Sequence, residues 1–147
     1  MNELMIRRFQ KEDLMVLYEL LSDPEVMQYI EPPYTLKKTE QFLAEAGTCE
    51  KPLIYAAEHD GSFIGYVIYH DYDRDSKEIG WILKKSVWGK GYAEALSKIL
   101  IEKAKAEGKN TVIECAPEQE ATKHIAEKLC FSYIGRRDGL DVYKLMK

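Results

Sequence analysis

Two glycines in a short turn, Gly89 and Gly91, have the residue type and spacing to hold a phosphate group. The turn, Trp88-Gly89-Lys90-Gly91-Tyr92-Ala93, lies between an extended apolar run and a strongly amphipathic segment. Because glycine has no Cβ, the backbone can adopt positive φ and approach an anion closely, while unpaired N–H groups of the following helix point toward it. The turn therefore predicts a phosphate-bearing ligand, such as a nucleotide-like cofactor.

The spacing of this turn excludes the two better-known phosphate loops. A dinucleotide-binding fingerprint needs a third glycine where Glu94 stands, and a P-loop needs Gly and then Ser or Thr where Lys84 and Gly91 stand. Two glycines between a strand and a helix are also common as a plain connection. The rest of the chain therefore has to decide between a binding loop and a structural turn.

Length and composition predict one globular domain over residues 1–147. The chain has 46% apolar and 31% charged residues, close to globular averages, and its size suits a single core. Its net charge of −4 argues against nonspecific binding to nucleic acid, which needs clustered Lys and Arg. The same charge mildly favours a cationic small substrate.

Cysteine and histidine spacings predict neither a disulfide framework nor a metal site. Cys49, Cys115 and Cys130 are odd in number and far apart, and the three histidines share no metal-ligand spacing with them or with each other. The first residues lack the apolar core of a signal peptide, and no apolar run approaches the length of a membrane span. We therefore expect reduced thiols, no metal, no membrane association and a cytoplasmic location.

The first third of the chain predicts one strand followed by helices. Residues 4–9 have the pattern of a short strand, and an amphipathic stripe over residues 14–21 predicts a helix. Asp23-Pro24 resembles a helix start, which predicts a second short helix through Tyr29. Thr35 should cap the next helix, which Gly47 ends.

From residue 53 onward the hydrophobic period becomes that of strands. The Asp60-Gly61 turn predicts a hairpin of strands 53–59 and 62–69, and a third strand at 78–83 leads into the glycine turn. The helix after the turn should end at Gly108. Its predicted buried stripe consists of Ala95, Leu96, Ile99 and Leu100.

The remaining elements complete an α+β pattern. We expect a strand at 111–115, a helix at 119–129, and a hairpin that turns at Asp138-Gly139 into a last strand at 140–145. Apolar residues on both faces of the strand at 62–69 favour a mixed central sheet with helices on both faces. The predicted order is β-α-α-β-β-β-α-β-α-β-β.

This order, with the strand Glu78-Ile79-Gly80-Trp81-Ile82-Leu83 leading into the glycine loop, resembles the GNAT superfamily of acetyl-CoA-dependent N-acetyltransferases. The similarity is strongest to the ribosomal-protein N-acetyltransferase branch and covers nearly the whole chain. The family's loop, Gln/Arg-x-x-Gly-x-Gly/Ala, lays Trp88, Gly91 and Ala93 on its first, fourth and last positions. The resemblance implies acetyl-CoA as the acetyl donor and a primary amine as the acceptor.

The resemblance also assigns residues to the cofactor site. Exposed main-chain groups of Ile82, Leu83 and Lys84 would pair with pantetheine, and Gln119 and Thr122 stand where the family has Asn and Ser near it. The CoA pyrophosphate would lie on the loop that consists of Trp88, Gly89, Lys90, Gly91, Tyr92 and Ala93. Cys130 replaces a family glycine, which predicts that the left-handed turn there is reshaped.

An acceptor ammonium must lose a proton before its nitrogen attacks a thioester, so a nearby carboxylate is expected. Glu114 is the first candidate, because it matches the general-base Glu of the ribosomal-protein alanine acetyltransferases; it would otherwise be a solvated Glu at a strand end. Glu78 is the second candidate, on the strand that would face the thioester, and would otherwise be a cross-strand salt-bridge partner.

The residue that would protonate the leaving thiolate is missing. Many relatives carry a tyrosine on the last helix where this chain has Ala126. Three explanations stay open: the thiolate leaves without a side-chain acid, Tyr133 or a water substitutes, or activity is lost. Cys115 and Cys130 have no histidine at a suggestive spacing, so we expect direct transfer without an acyl-enzyme.

The acceptor site is predicted from residues around the Pro32-Pro33 turn. Tyr29, Glu31 and Tyr34 would form an aromatic and acidic wall that suits a cation, joined by Trp81; a plain packing corner is the alternative. The predicted function is direct acetyl transfer to a primary amine, by a monomer or homodimer. A non-catalytic CoA-binding regulatory module is the alternative, and an interaction domain without CoA affinity is a third.

Overall fold

In the computed structural model, which describes residues 3–147, the strands and helices follow the predicted order. The helices are α1 Leu14–Leu21, α2 Leu36–Phe42, α3 Tyr92–Ala106 and α4 Glu120–Lys128. The strands are β1 Leu4–Arg7, β2 Ile54–His59, β3 Ser62–Asp73, β4 Ser76–Leu83, β5 Asn110–Cys115, β6 Ser132–Arg137 and β7 Leu140–Leu145. The predicted α+β class is therefore confirmed.

The seven strands form one mixed sheet in the order β1-β2-β3-β4-β5-β7-β6. The β4–β5 pair is parallel, whereas β1–β2, β2–β3, β5–β7 and β6–β7 are antiparallel. Parallel pairing runs from Ser76↔Asn110 to Glu78↔Val112, although β4 continues to Leu83. The parallel pairing with β5 therefore covers the first part of β4, and the part that leads into the glycine loop lies beyond it.

The chain divides into two compact units. The first contains the described residues up to Ile68 together with Trp81–Lys90, and the second contains Tyr69–Gly80 and Gly91–Lys147. The first unit has an apolar core in which α1 and β2 contribute fully buried side chains such as Leu17 and Ala56. Full burial of an aliphatic side chain contributes about 1.5–3 kcal/mol. The prediction of a single domain stays a prediction.

In the second unit, α3 buries one face against the sheet. The buried residues of α3 are Leu96, Ser97, Leu100, Ile101 and Ala104. The predicted stripe is therefore wrong at Ile99, which is 42% exposed. The buried face instead includes Ile101 and Ala104, which follow Ser97 at i+4 and i+7 spacing. Within residues 3–147, no helix combines the length and apolarity that a membrane span requires.

The predicted short helix from Asp23 to Tyr29 is absent, and a run of turns takes its place. The Asp23 carboxylate accepts a hydrogen bond from the Glu25 N–H at 2.9 Å, and the Asp23 carbonyl accepts one from the Met27 N–H at 3.1 Å. These two bonds are those of a helix N-cap, as predicted, but the bonds that follow, from the Gln28 N–H to the Glu25 carbonyl and from the Ile30 N–H to the Met27 carbonyl, span three residues, so no α-helix continues. The Pro32-Pro33 pair then prevents extension, so this segment stays irregular.

The predicted signals for caps and turns are confirmed. The Thr35 hydroxyl caps α2 by accepting a hydrogen bond from the Lys38 N–H at 3.1 Å. Asp60-Gly61 and Asp138-Gly139 both have positive φ at their two residues, as type I′ hairpin turns require. Strand ends moved slightly: β1 stops at Arg7 instead of residue 9, and β3 extends to Asp73 instead of residue 69.

Helices α3 and α4 end in the same C-terminal motif despite different residues. After α3, Gly108 has φ 75°, and the Lys109 N–H bonds the Ala104 carbonyl at 2.8 Å. After α4, Cys130 has φ 70°, and the Phe131 N–H bonds the Ala126 carbonyl at 2.9 Å. These are the bonds of a Schellman motif. The prediction that Cys130 reshapes its turn is therefore wrong, because the motif holds a non-glycine residue in the left-handed conformation.

Candidate active site

The glycine loop has an open backbone surface at the start of α3. Gly89 and Gly91 have φ 76° and 83°, and a Cβ at either position would meet no heavy atom within 4 Å. Gly91 is the N-cap residue and has no side chain to cap the helix, whose first internal bond runs from the Ala95 N–H to the Gly91 carbonyl. The first amides of a helix, here including Ala93 and Glu94, have no intrahelical acceptor and attract anions.

Trp88 fixes the entry to this loop. Its indole Nε1–H donates a hydrogen bond to the Leu83 carbonyl at 2.9 Å, while 47% of the residue stays exposed. The indole therefore ties the loop to the end of β4. Lys90 is exposed beside the glycines, where it can add positive charge.

The main chain at the end of β4 is more engaged than the sequence predicts. The Lys84 N–H donates to the Ile64 carbonyl at 2.8 Å, and the Lys84 carbonyl accepts from the Val87 N–H at 3.0 Å. The Ile82 carbonyl also points toward β3, since a Cβ on Gly65 would lie 2.2 Å from it. The prediction that Ile82, Leu83 and Lys84 all have free main-chain groups is therefore wrong for Lys84, because its N–H and its carbonyl are both bonded. Strand alternation directs the groups of Leu83 to the opposite edge, where the Leu83 carbonyl already accepts from the Trp88 indole.

Glu114 lies in β5 and is held by a tyrosine from β3. The Tyr72 hydroxyl donates to Glu114 Oε2 at 2.6 Å, and both side chains are partly buried. This distance lies in the normal range of an O–H···O hydrogen bond. One carboxylate oxygen of Glu114 is therefore oriented by the fold.

Glu78 lies on the same face of the sheet as Glu114. Glu78 pairs with Val112, and Val112 and Glu114 are two residues apart in β5, so their side chains share a face. The side chain of Glu78 is 22% exposed, and His70 Nε2 lies 3.7 Å from its Oε1. Burial raises the pKa of Glu78, the charge of Glu114 adds to this rise, and His70 opposes it.

We call Tyr72, His70, Glu78 and Glu114 the carboxylate cluster. The sequence analysis named the two carboxylates but missed His70 and Tyr72, which no motif marks. Their spacing was the available signal. Both residues have polar rings, they are two positions apart, and they lie at the end of a strand whose earlier part is apolar. Such a pattern shows that the side chains share a face, but not what lies across from them.

The two residues at the start of α4 that were predicted near pantetheine occupy different environments. Gln119 precedes the helix, and its side-chain Oε1 accepts a hydrogen bond from the Ala116 N–H at 2.8 Å. Thr122 is half-buried in the first turn of α4. Gln119 therefore shapes the turn between β5 and α4, while its amide NH₂ group is the part that remains for a ligand.

In the predicted acidic wall of the first unit, the Glu31 carboxylate already has two partners. Glu31 Oε2 accepts from the Tyr34 hydroxyl at 2.8 Å, and Glu31 Oε1 lies 3.2 Å from Lys38 Nζ. The hydrogen bond from Tyr34 lowers the pKa of Glu31, and burial raises the pKa of Tyr34 to about 12. Tyr34 is 8% exposed and packs edge-on against Phe42, whereas Tyr29 is 46% exposed. Of this wall, Tyr29 and the Glu31 side chain, which is 47% exposed, therefore offer the open surface; Trp81 in β4 is half-buried.

The structure also gives the surroundings of the residues considered as general acid or as acyl carrier. Ala126 is fully buried in α4, and the Tyr133 hydroxyl is engaged with Asp141 Oδ1 at 3.3 Å. Burial raises the pKa of Cys115 to about 11, so its thiol stays protonated at neutral pH. An unionised buried thiol is a poor nucleophile, which disfavours an acyl-enzyme at this residue.

The family model for the acetyltransferase (GNAT) domain matches residues 3–132, and the chain therefore belongs to the GNAT acetyltransferase family. A curated relative, the uncharacterized N-acetyltransferase YnaD of Bacillus subtilis (strain 168), is 27% identical over 134 residues, which cover 87% of this chain and 78% of the relative. The predicted family and enzyme class are thus confirmed.

Solved structures share the fold along nearly the whole chain. A GNAT-family acetyltransferase from Bacillus anthracis is 24% identical, with a TM-score of 0.80 over 96% of this chain and 92% of that one. The spermidine N-acetyltransferase from Vibrio cholerae, solved with CoA and spermine, is 20% identical, with a TM-score of 0.78 and coverages of 97% and 93%. The ribosomal-protein-alanine N-acetyltransferase from Brucella melitensis is 20% identical, with a TM-score of 0.74 and coverages of 97% and 99%.

Proposed function

We propose that this protein binds acetyl-CoA on the Trp88–Ala93 loop and transfers the acetyl group directly to a primary amine, with Glu114 as the general base. The observation that carries the proposal is the Tyr72-held Glu114 carboxylate, which lies in the same compact unit as the N-terminal turn of α3. Family membership supports acetyl transfer, and the open glycine backbone suits a pyrophosphate. The amide of Gln119, with Thr122, would assist in holding pantetheine.

The proposed reaction balances with one base and no acyl-enzyme. The Glu114 carboxylate takes a proton from the acceptor ammonium, and the resulting neutral nitrogen attacks the thioester carbonyl carbon. A C–N bond forms, the C–S bond breaks, and the second amine proton passes to the CoA sulfur, directly or through water. With alanine at 126 and Tyr133 on Asp141, water is the proton carrier that these residues leave for the thiolate.

The acceptor is a cationic amine. The chain has a net charge of −4, and the carboxylate cluster offers negative charge, whereas Glu31 is already paired with Lys38. One fold neighbour acts on spermidine and another on ribosomal-protein alanine, so both a polyamine and a protein N-terminus belong in the acceptor panel. The similarity to the ribosomal-protein branch makes the N-terminal peptide the first to test. Tyr29 and Trp81 would contact it.

Two other functions were considered from the sequence. A non-catalytic CoA-binding module requires that the site lack a base, and the oriented Glu114 argues against it. An interaction domain without CoA affinity is disfavoured by the family match. The same match spans both compact units, which supports a single acetyltransferase domain over residues 1–147. Cytoplasmic location and assembly as a monomer or homodimer stay predictions.

The test is acetyl-CoA-dependent turnover. Thermal unfolding is recorded with and without acetyl-CoA, and release of the CoA thiol is then measured with spermidine, aminoglycosides and peptides with N-terminal alanine. We expect stabilisation of about 2.7 kcal/mol at a hundred times the dissociation constant, and turnover with at least one amine. Stabilisation without turnover on any amine would favour the non-catalytic module, and no stabilisation would contradict the whole proposal.

The base assignment has its own variant. Glu114→Gln should lower kcat by about a hundredfold or more while acetyl-CoA still stabilises the protein, because the loop is untouched. Glu102→Gln, a change at an exposed carboxylate of α3, is the matched control and should leave kcat unchanged. Equal kcat for Glu114→Gln and the control would show that Glu114 is not the base.

A further inference from the structure

Tyr72 reaches across a whole strand to hold Glu114. Tyr72 belongs to β3 and Glu114 to β5, and β4 lies between them in the sheet. Two strand spacings are about 9–10 Å, a gap that a tyrosine and a glutamate close only with both side chains extended over the intervening strand. The 2.6 Å bond at their tips is therefore a specific long-range arrangement and not a contact between adjacent positions.

The charges around Glu114 explain why such a donor matters. Glu78 approaches from β4 with the same charge, and His70 lies beside Glu78 on β3. The positive charge of Arg137 in β6 lies near the Tyr72 hydroxyl and lowers the pKa of Tyr72. The bond to Glu114, followed by burial, raises the pKa of Tyr72, and Arg137 opposes this rise. Tyr72 therefore stays protonated at neutral pH and keeps donating to the carboxylate.

We infer that Tyr72 is a positioning residue for the base: its hydroxyl holds Glu114 Oε2 and thereby aims Oε1 at the acceptor ammonium. This inference rests on the proposed function. Donation to the charged form favours that form, whereas a neighbouring carboxylate disfavours it. Tyr72 thereby distinguishes two similar groups, because Glu114 accepts from a phenol, whereas Glu78 is partly buried beside His70.

The experiment compares two tyrosines of the same strand. Tyr72→Phe removes the donor to Glu114, and Tyr69→Phe removes a similar phenol-to-carboxylate bond, from Tyr69 to Glu107 of the α3 end. We expect Tyr72→Phe to move the acidic limb of the kcat/KM profile upward by about one pH unit and to lower kcat/KM near neutrality about tenfold, with recovery at higher pH. Tyr69→Phe should leave the position of that limb unchanged.

A double variant separates positioning from a structural effect. In the Glu114→Gln background, Tyr72→Phe should have little further effect on kcat, because the two residues act as one unit. An unmoved limb in Tyr72→Phe, or an equal loss in both backgrounds, would overturn the inference. Acetyl-CoA stabilisation of each variant shows that it is folded and binds the donor. The proposed function itself fails at an earlier step, as absent turnover in the unmodified protein, so the two failures are distinguishable.

Discussion

The glycine loop and the carboxylate cluster differ in which part of the chain does the chemistry. In the loop, the backbone carries the function: Gly89 and Gly91 have positive φ, and the space around them is open. In the cluster, side chains carry it: Tyr72 from β3, Glu78 from β4 and Glu114 from β5 meet on one face. A backbone site depends on a few consecutive residues, whereas a side-chain site depends on strand register. The two regions should therefore fail in different ways when they are changed.

The largest effect is expected in the loop. Gly91→Glu places a carboxylate where the pyrophosphate would lie, and it should abolish the acetyl-CoA stabilisation of about 2.7 kcal/mol at a hundred times the dissociation constant. The measurement is thermal unfolding with and without acetyl-CoA.

A matched control exists in the β2–β3 turn. Gly61 has φ 84°, against 83° for Gly91, and a Cβ would again meet nothing within 4 Å. Gly61→Glu therefore imposes the same backbone strain, about 1–2 kcal/mol, without touching the loop. It should keep the full acetyl-CoA response, and equal responses in the two variants would show that the loop does not hold the phosphate.

Within the cluster, Glu78→Gln should be milder than Glu114→Gln. We expect a loss in kcat of less than about tenfold, against a hundredfold or more for the base. The acidic limb of the kcat/KM profile should also move to lower pH, because a like charge near Glu114 is gone. Steady-state kinetics across pH measure both effects. If the hundredfold loss falls on Glu78→Gln instead, the two carboxylates exchange roles.

Glu78→Gln should also change how the free energy of unfolding depends on pH. Burial raises the pKa of Glu78 in the folded state above its ordinary value of 4.5. Below that value both states are protonated and the contribution to stability is complete, and it is lost as pH rises through the raised folded pKa. The Glu78→Gln variant does not lose stability in this way, because glutamine does not ionise. Urea unfolding should therefore show the variant gaining on the unmodified protein as the pH rises from the ordinary value of 4.5 through the raised folded pKa of Glu78. A gain toward lower pH would contradict the buried environment of Glu78.

The smallest expected effect is a change in stability at the helix C-terminal turns, where a residue with positive φ lies outside the proposed binding sites. Cys130 is exposed and held at φ 70°, so Cys130→Gly should relieve the strain and stabilise the protein by about 0.5–1 kcal/mol. Gly108→Ala at the equivalent position after α3 should destabilise it by about 1 kcal/mol. Thermal unfolding measures both changes. Destabilisation by Cys130→Gly would mean that the thiol contributes packing that exceeds the strain.

Local sequence signals were sufficient for most elements. Turn dipeptides, the Thr35 cap and the hydrophobic periods placed the strands and helices, because each of these depends on residues close in the chain. They failed at Asp23 to Tyr29, where the backbone bonds that follow the Asp23 cap span three residues and no α-helix forms. They also failed at Ile99, because helix rotation is set by what packs against the face.

The candidate site divides in the same way. The glycine loop was readable from six consecutive residues, since missing Cβ atoms and a helix start are properties of the local chain. The partners of the carboxylates were not readable: Tyr72 and Glu114 are 42 residues apart, and Glu31 pairs with Lys38 and Tyr34. The sequence by itself determined the elements, the family and the loop. The tertiary structure alone decided which charges meet, because register and sheet order bring together residues that no spacing connects.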